Sequence, residues 1–214
     1  MIRMICLANS WREGGRCLAG VDADGGDWIR PVPPDGGPIA EERTLVGGRR
    51  LAPLDVVELD LARPTFATRY QCENREIRSW RWRLAGKADP ADLLDYRSRS
   101  NIVLYNQGKV VEPSYLESFD APDWRSLELV HATDVSLIAH PRTPGRWQAS
   151  FSLGRGGPKY LLTVTDPLAT GRLALGASIR KECLLTVSLT APIEFAKLDK
   201  PPLCYKLVAA VIEL

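Results

Sequence analysis

The run Arg78-Ser79-Trp80-Arg81-Trp82-Arg83 interleaves two indoles with cationic side chains. In an extended strand alternate side chains share a face, so Arg78, Trp80 and Trp82 are expected on one side and Ser79, Arg81 and Arg83 on the other. Such a strand has two possible uses. Its indoles could stack on nucleobases, at about 1–3 kcal/mol per base, with Arg81 and Arg83 near phosphates. Alternatively both indoles belong to the core and the arginines cover the solvent face, which is favoured for the tryptophans because large aromatics are mostly buried. The glycine-rich loop Gly154-Arg155-Gly156-Gly157-Pro158-Lys159 is a second feature. Its backbone amides, Arg155 and Lys159 could approach a phosphate, or the loop could be a plain hairpin connection. It lacks the Walker spacing, and Tyr160 follows the lysine. It opens a strand, so no helix N-terminus is at hand for an anion. Arg49-Arg50 after Gly47-Gly48 is a weaker instance of the same pattern.

Covalent or acid–base chemistry finds little to work with. The two histidines, His131 and His140, have no Ser, Cys or Asp at a spacing that marks a nucleophile and its base. Gln71, Glu73 and Asn74 form a polar cluster after a candidate strand, and Glu73 with Cys17 or Cys72 would make an acid and a nucleophile only if folding brought them together. A loop role is favoured. Cys6, Cys17, Cys72, Cys183 and Cys204 are odd in number, widely spaced and never C-x-x-C, so neither a disulfide framework nor a zinc knuckle is suggested. A reducing, cytoplasmic setting is expected, with no catalytic residue, no metal and no cofactor.

Composition narrows the class further. Of 214 residues 45% are hydrophobic and 25% charged, as in ordinary globular proteins, and no run reaches the roughly 18–20 apolar residues of a membrane span. The N-terminal Met-Ile-Arg-Met-Ile-Cys-Leu, interrupted by Arg3, reads as a first strand and not as a secretory leader. Net charge is only +2, yet 21 arginines stand against 7 lysines. Arginine forks onto phosphates and stacks on bases; a GC-rich coding sequence would also raise it without any function.

The elements that must position these residues read as short strands. Candidates are 2–8, 16–23, 27–32, 54–61, 65–72 and 77–84, with a first loop at 9–15 and a proline- and glycine-rich break from Pro31 to Pro38. Short helices are expected at 90–96 and 113–119. A second series of strands follows at 127–131, 135–140, 147–153, 159–166, 183–189 and 205–212. No crossover helix of about 12 residues separates consecutive strands, which disfavours a doubly wound sheet. The fold class is therefore mainly β, in two barrel-like halves, 1–122 and 123–214, with the boundary in Asp120-Ala121-Pro122-Asp123.

Several segments carry a family likeness. Residues 6–20 (Cys-Leu-Ala-Asn-Ser-Trp-Arg-Glu-Gly-Gly-Arg-Cys-Leu-Ala-Gly), Trp28–Val32, Gln71–Asn74, Tyr160–Pro167 and Cys204–Ile212 resemble the bacterial dual OB-containing domain family over nearly the whole chain. The first and fourth of these are the most specific. Trp11 and Cys72 stand where smaller or polar residues would be expected. The resemblance implies two OB-like barrels in tandem, in proteins associated with mobile elements and anti-phage defence, and it carries over no catalytic residues.

The expected function is a nucleic-acid-binding module for single-stranded DNA or RNA, with contacts from Asn9, Ser10, Arg12, Arg16, Arg30, Gln71, Asn74, Arg81, Arg83, Arg155 and Lys159, and binding that weakens steeply with salt. This expectation requires the guanidinium groups of the first loop, the Arg81–Arg83 strand and the glycine-rich hairpin to gather on one side. The alternatives are an adaptor that docks a nuclease or helicase through buried anchors, or a sensor of a nucleotide ligand. Scattered arginines paired with carboxylates would favour the adaptor.

Overall fold

In the computed structural model of the chain, residues 1–63, 70–154, 156–195 and 200–214 are described. Most of the strand expected at 65–72, and Arg155, lie outside them. Seven strands form the first half: β1 (Ile2–Arg12), β2 (Gly15–Asp22), β3 (Trp28–Val32), the two-residue pair β4 (Leu45–Val46) and β5 (Arg49–Arg50), β6 (Asp55–Leu61) and β7 (Asn74–Lys87). Five of them close a barrel in the circular order β1-β2-β3-β7-β6, with β3 and β7 parallel and the other pairs antiparallel.

Burial follows the pleat where one face only is covered. In β6, Asp55, Val57, Leu59 and Leu61 point inward, while Val56, Glu58 and Asp60 are partly exposed. Residues 4–10 of β1 are buried without alternation, because both faces are covered. Met4 and Cys6 fill the barrel, while Ile5 and Leu7 pack on Leu129, Leu184 and Ile212 of the second half. β2 passes so close to β1 that a Cβ on Gly20 would lie 2.1 Å from the Ile5 carbonyl oxygen, so only glycine serves there.

β7 keeps the expected alternation from Trp80 to Arg83 and departs from it at Arg78 and Ser79. Glu58 pairs with Arg83, Asp60 with Ser79 and Leu61 with Ile77, so residues 80–82 bulge opposite Leu59 and Arg78 is a further insertion. The bulge turns both Trp80 and Trp82 onto the core formed by Val57, Leu59 and their neighbours, with ring centroids 5.2 Å apart.

The second half comprises β8 (Val110–Val111), α1 (Pro113–Leu116), β9 (Leu127–Ala139), β10 (Trp147–Ser152), β11 (Lys159–Val164), α2 (Pro167–Ala174), β12 (Cys183–Leu189), β13 (Ile193–Phe195) and β14 (Lys200–Glu213). Its barrel closes as β9-β10-β11-β14-β12, with β11 and β14 parallel. Numbered within each barrel, both halves run 1-2-3-5-4 and back to 1, so the two share one connectivity, that of the OB-like barrel expected.

Two expected strands, 127–131 and 135–140, are one. β9 turns within itself at Asp134, whose φ of 54° is in the left-handed region that Asp tolerates, where pairing passes from β12 to β10. The helices expected at 90–96 and 113–119 are a short 3₁₀ turn at Asp92–Tyr96 and the single turn α1. α2, not expected, begins at an Asp-Pro step. Asp166 caps it, accepting from Leu168 N at 2.8 Å and Ala169 N at 3.2 Å, and its other oxygen accepts from Val211 N at 2.9 Å.

The halves are joined firmly. The connecting segment puts Val103, Leu104, Tyr105, Val111 and Leu116 into the second barrel's core, well before the Asp120–Asp123 stretch. Lys206 is buried there, its ammonium donating to the carbonyls of Val103 and Asn106 and to Asn106 Oδ1. Burial pulls its pKa down to about 8, with Glu128 opposing.

Candidate nucleic-acid interface

The first loop is shorter than expected. β1 continues through Arg12, leaving Glu13-Gly14 as a two-residue hairpin connection in which Gly14 takes a φ of 80°. Asn9 and Ser10 are therefore strand residues and nearly buried, Asn9 Nδ2 donating to the Leu51 carbonyl at 2.8 Å. The hairpin tip reaches the second barrel, where Trp11 N donates to the Thr165 carbonyl at 2.8 Å.

Across the hairpin, Trp11 pairs with Arg16. The Arg16 guanidinium carbon sits 3.7 Å from the Trp11 ring centroid, a cation–π contact. Arg16 itself is 1% exposed and donates to Glu41 Oε1 at 2.8 Å, a bond that, ahead of the charge of Arg16 and the additional Arg50 contact, holds the Glu41 carboxyl below its usual range. Arg16 is thus the support of an indole and not a ligand contact. Trp11, half its surface exposed, carries the ring into the open.

Two clefts meet at that ring. One, of about 240 Å³, is lined on the first barrel by Ser10, Trp11, Arg12, Cys17 and Gln71, and on the second by Thr165, residues 188–193, Leu207 and Ala209. The other, of about 700 Å³, is bounded by Trp11, Arg12, Glu13, Gly145, Arg146, Thr163 and Thr170. Trp11, Arg12, Thr165 and Leu207 line both, which makes one groove. Four loops converge on it: Glu13 from between β1 and β2, Gln71 from between β6 and β7, Gly145 and Arg146 from between β9 and β10, and residues 190–192 after β12. These are the first-to-second and fourth-to-fifth strand connections of both barrels, the loops with which OB barrels grip extended ligands.

The expected contacts divide accordingly. Ser10, Arg12 and Gln71 line the groove. Arg12 is exposed and donates to the Gly37 carbonyl at 3.2 Å. Arg30 is fully buried and points between the barrels, donating to Ser126 Oγ at 2.9 Å, Ser188 Oγ at 3.3 Å and Asn74 Oδ1 at 3.4 Å, with Glu73 Oε2 at 3.7 Å. Asn74 belongs to that network. Arg81 and Arg83 are exposed on β7 and Lys159 on β11, and none lines either cleft; Arg83 is paired with Glu58 at 2.6 Å. The expected gathering of guanidinium groups is therefore corrected: Arg16, Arg30 and Arg83 are tied to Glu41, Glu73 and Glu58.

Sequence reasoning passed over Trp11 and Arg146. The signal for the first was present, since an indole beside a Glu-Gly-Gly turn has no hydrophobic neighbours in sequence to bury it. Arg146 ends a loop rich in Pro, Gly and Arg but becomes relevant only once the barrels are apposed. Among the described residues no helix is long and apolar enough to cross a membrane.

In comparison with known proteins, the family model described as dual OB-containing domain matches residues 2–211. No curated protein and no solved structure matches the chain.

Proposed function

From the premise that the chain belongs to the dual OB-containing domain family, we propose that it binds single-stranded DNA or RNA along the groove between its two barrels. The observation that carries this is the convergence of the ligand-gripping loops of both barrels on Trp11, an exposed indole stiffened from beneath by Arg16. A base stacked on Trp11 would gain about 1–3 kcal/mol, with Arg12 and Arg146 beside the backbone. Stacking dominates here and charge is secondary.

Two consequences follow for solution binding. Trp11→Ala is expected to weaken binding of a labelled single strand by about 5- to 150-fold in fluorescence anisotropy, the fold-change equivalent of one stacked base, with little change in melting temperature. Unchanged affinity in a folded Trp11→Ala protein would remove the proposal. With two arginines in the groove, the slope of log K against log salt should be near −1.4, about a sevenfold loss from 50 to 200 mM. That is shallow, in contrast to the steep dependence expected from the arginine content.

The paired arginines favour a second reading, an adaptor docking a protein such as a nuclease or helicase. Salt-insensitive capture of a defined partner together with no oligonucleotide binding would decide for it. The setting in mobile elements or anti-phage defence rests on the family resemblance.

A further inference from the structure

We propose that the smaller cleft is a slot for a pyrimidine with two carbonyl groups, uracil or thymine, an inference that rests on the nucleic-acid function proposed above. Four hydroxyls, those of Ser10, Thr165, Ser188 and Thr190, stand among its apolar walls. They fall into two kinds by what they already do. Ser188 Oγ accepts from Arg30 Nη2 at 3.3 Å, and Thr190 Oγ1 accepts from Tyr205 N at 2.9 Å. Each hydroxyl keeps its single hydrogen to donate, and no described acceptor takes it. The buried Arg30 cation also polarises the Ser188 hydroxyl, which strengthens it as a donor. By contrast, Ser10 Oγ donates to the Cys17 carbonyl and Thr165 Oγ1 to that of Val208, each at 3.4 Å, leaving their lone pairs to accept.

An occupant must therefore bring acceptors for two O–H donors and a donor for the Ser10 and Thr165 oxygens, since a polar group buried without a partner costs about 1–3 kcal/mol. Uracil and thymine carry two carbonyl oxygens on either side of one ring N–H. Adenine offers only ring nitrogens as acceptors, with its exocyclic amine projecting between N1 and N7 against the donors, whereas the ring N–H of uracil or thymine is recessed between its carbonyls. Guanine and cytosine have one carbonyl each, together with an exocyclic amine that sets a donor against a donor. Trp11 at the mouth of the cleft supplies the stacking surface common to all bases.

The test is anisotropy with labelled short homopolymers of dT, rU, dC and dA, using the full chain. Both dT and rU are expected to bind about tenfold tighter than dC and dA, the worth of one to two hydrogen bonds. The dT and rU arms separate DNA from RNA while sharing the dicarbonyl base. Ser188→Ala and, in case Ser188 is needed for folding, Thr190→Val are each expected to bring the four affinities to within about twofold, by weakening dT and rU. Equal binding of all four homopolymers by the parent protein overturns the slot and leaves the groove standing. If no homopolymer binds, both the slot and the nucleic-acid function fall. A preference that survives both substitutions assigns selectivity elsewhere and overturns the slot.

Discussion

Arg30→Met is expected to destabilise the protein by about 3–5 kcal/mol, the cost of leaving one partner of a buried ion pair uncompensated. Glu73 is what would be left. Its two oxygens accept from Ser126 N and Ser126 Oγ, each at 2.6 Å, and from Leu127 N at 3.1 Å, and the carboxyl is nearly buried. Arg30 is the cation paired with it among the described residues. Methionine fills much of the volume, so the loss reports on charge and hydrogen bonding more than on a cavity. Adding Glu73→Gln should recover part of it, because the buried charge disappears with its partner. Chemical denaturation of the two single variants and the double measures the coupling. Additive losses would mean that the pair does not act as a unit. This network ties β3 and β7 of one barrel to β9 and β12 of the other, so the same variants should loosen the groove that depends on their apposition.

A second large effect is expected at alkaline pH. Cys6, Cys183 and Cys204 are free and fully buried. Burial pushes the thiols of Cys6 and Cys183 up to about 12 and that of Cys204 to about 11. These groups stay protonated in the folded chain and ionise near pH 9 once it unfolds, so their contribution is complete below pH 9 and is lost as pH rises toward 11–12. Each removes about 1.4 kcal/mol per pH unit, and the three together about 4. Lys206 works the other way. Its lowered pKa penalises the folded state most below pH 8, and the penalty is relieved as pH rises toward 10.5. Net of that relief, about 5 kcal/mol is lost between pH 9 and 11, comparable to the whole stability of a marginal domain. Urea denaturation at stepped pH should show the steep limb, and alanine at Cys6 and Cys183 should remove most of it, since the remaining Cys204 loss is largely offset by the Lys206 relief. A stability constant from pH 8 to 11 would refute the account of the thiols.

How much of this was legible in the sequence depends on the range of the interaction. The strand expected at 54–61, with β-branched Val56 and Val57, is β6, and the Pro31–Pro38 stretch predicts a break, because both signals are local. Asp166-Pro167 contains the cap and first residue of α2, and was passed over among strand candidates. The break expected inside β9 is a kink at Asp134, since a residue that tolerates left-handed φ can bend a strand without ending it. Alternation holds from Trp80 to Arg83, with both indoles on the core and Arg81 and Arg83 exposed; Arg78 and Ser79 fall out of step because a bulge is set by the partner strand, not by the residues that bulge. For the site, Ser10, Arg12 and Gln71 were within reach, whereas the burial of Arg16 and Arg30 was not. Their partners are Glu41, Glu73, Ser126 and Ser188, and the farthest of these is 158 residues away in the chain. Arginine is ordinarily exposed, and only those distant acceptors make the inward position tolerable.

The central claim is that a single strand lies in the groove between the barrels with a base on Trp11. Photocrosslinking with an oligonucleotide carrying 5-iodouracil, followed by peptide mapping, tests it directly. The account predicts adducts at Trp11 and neighbouring groove residues. Adducts confined to Trp80 and Trp82 on β7 would contradict it.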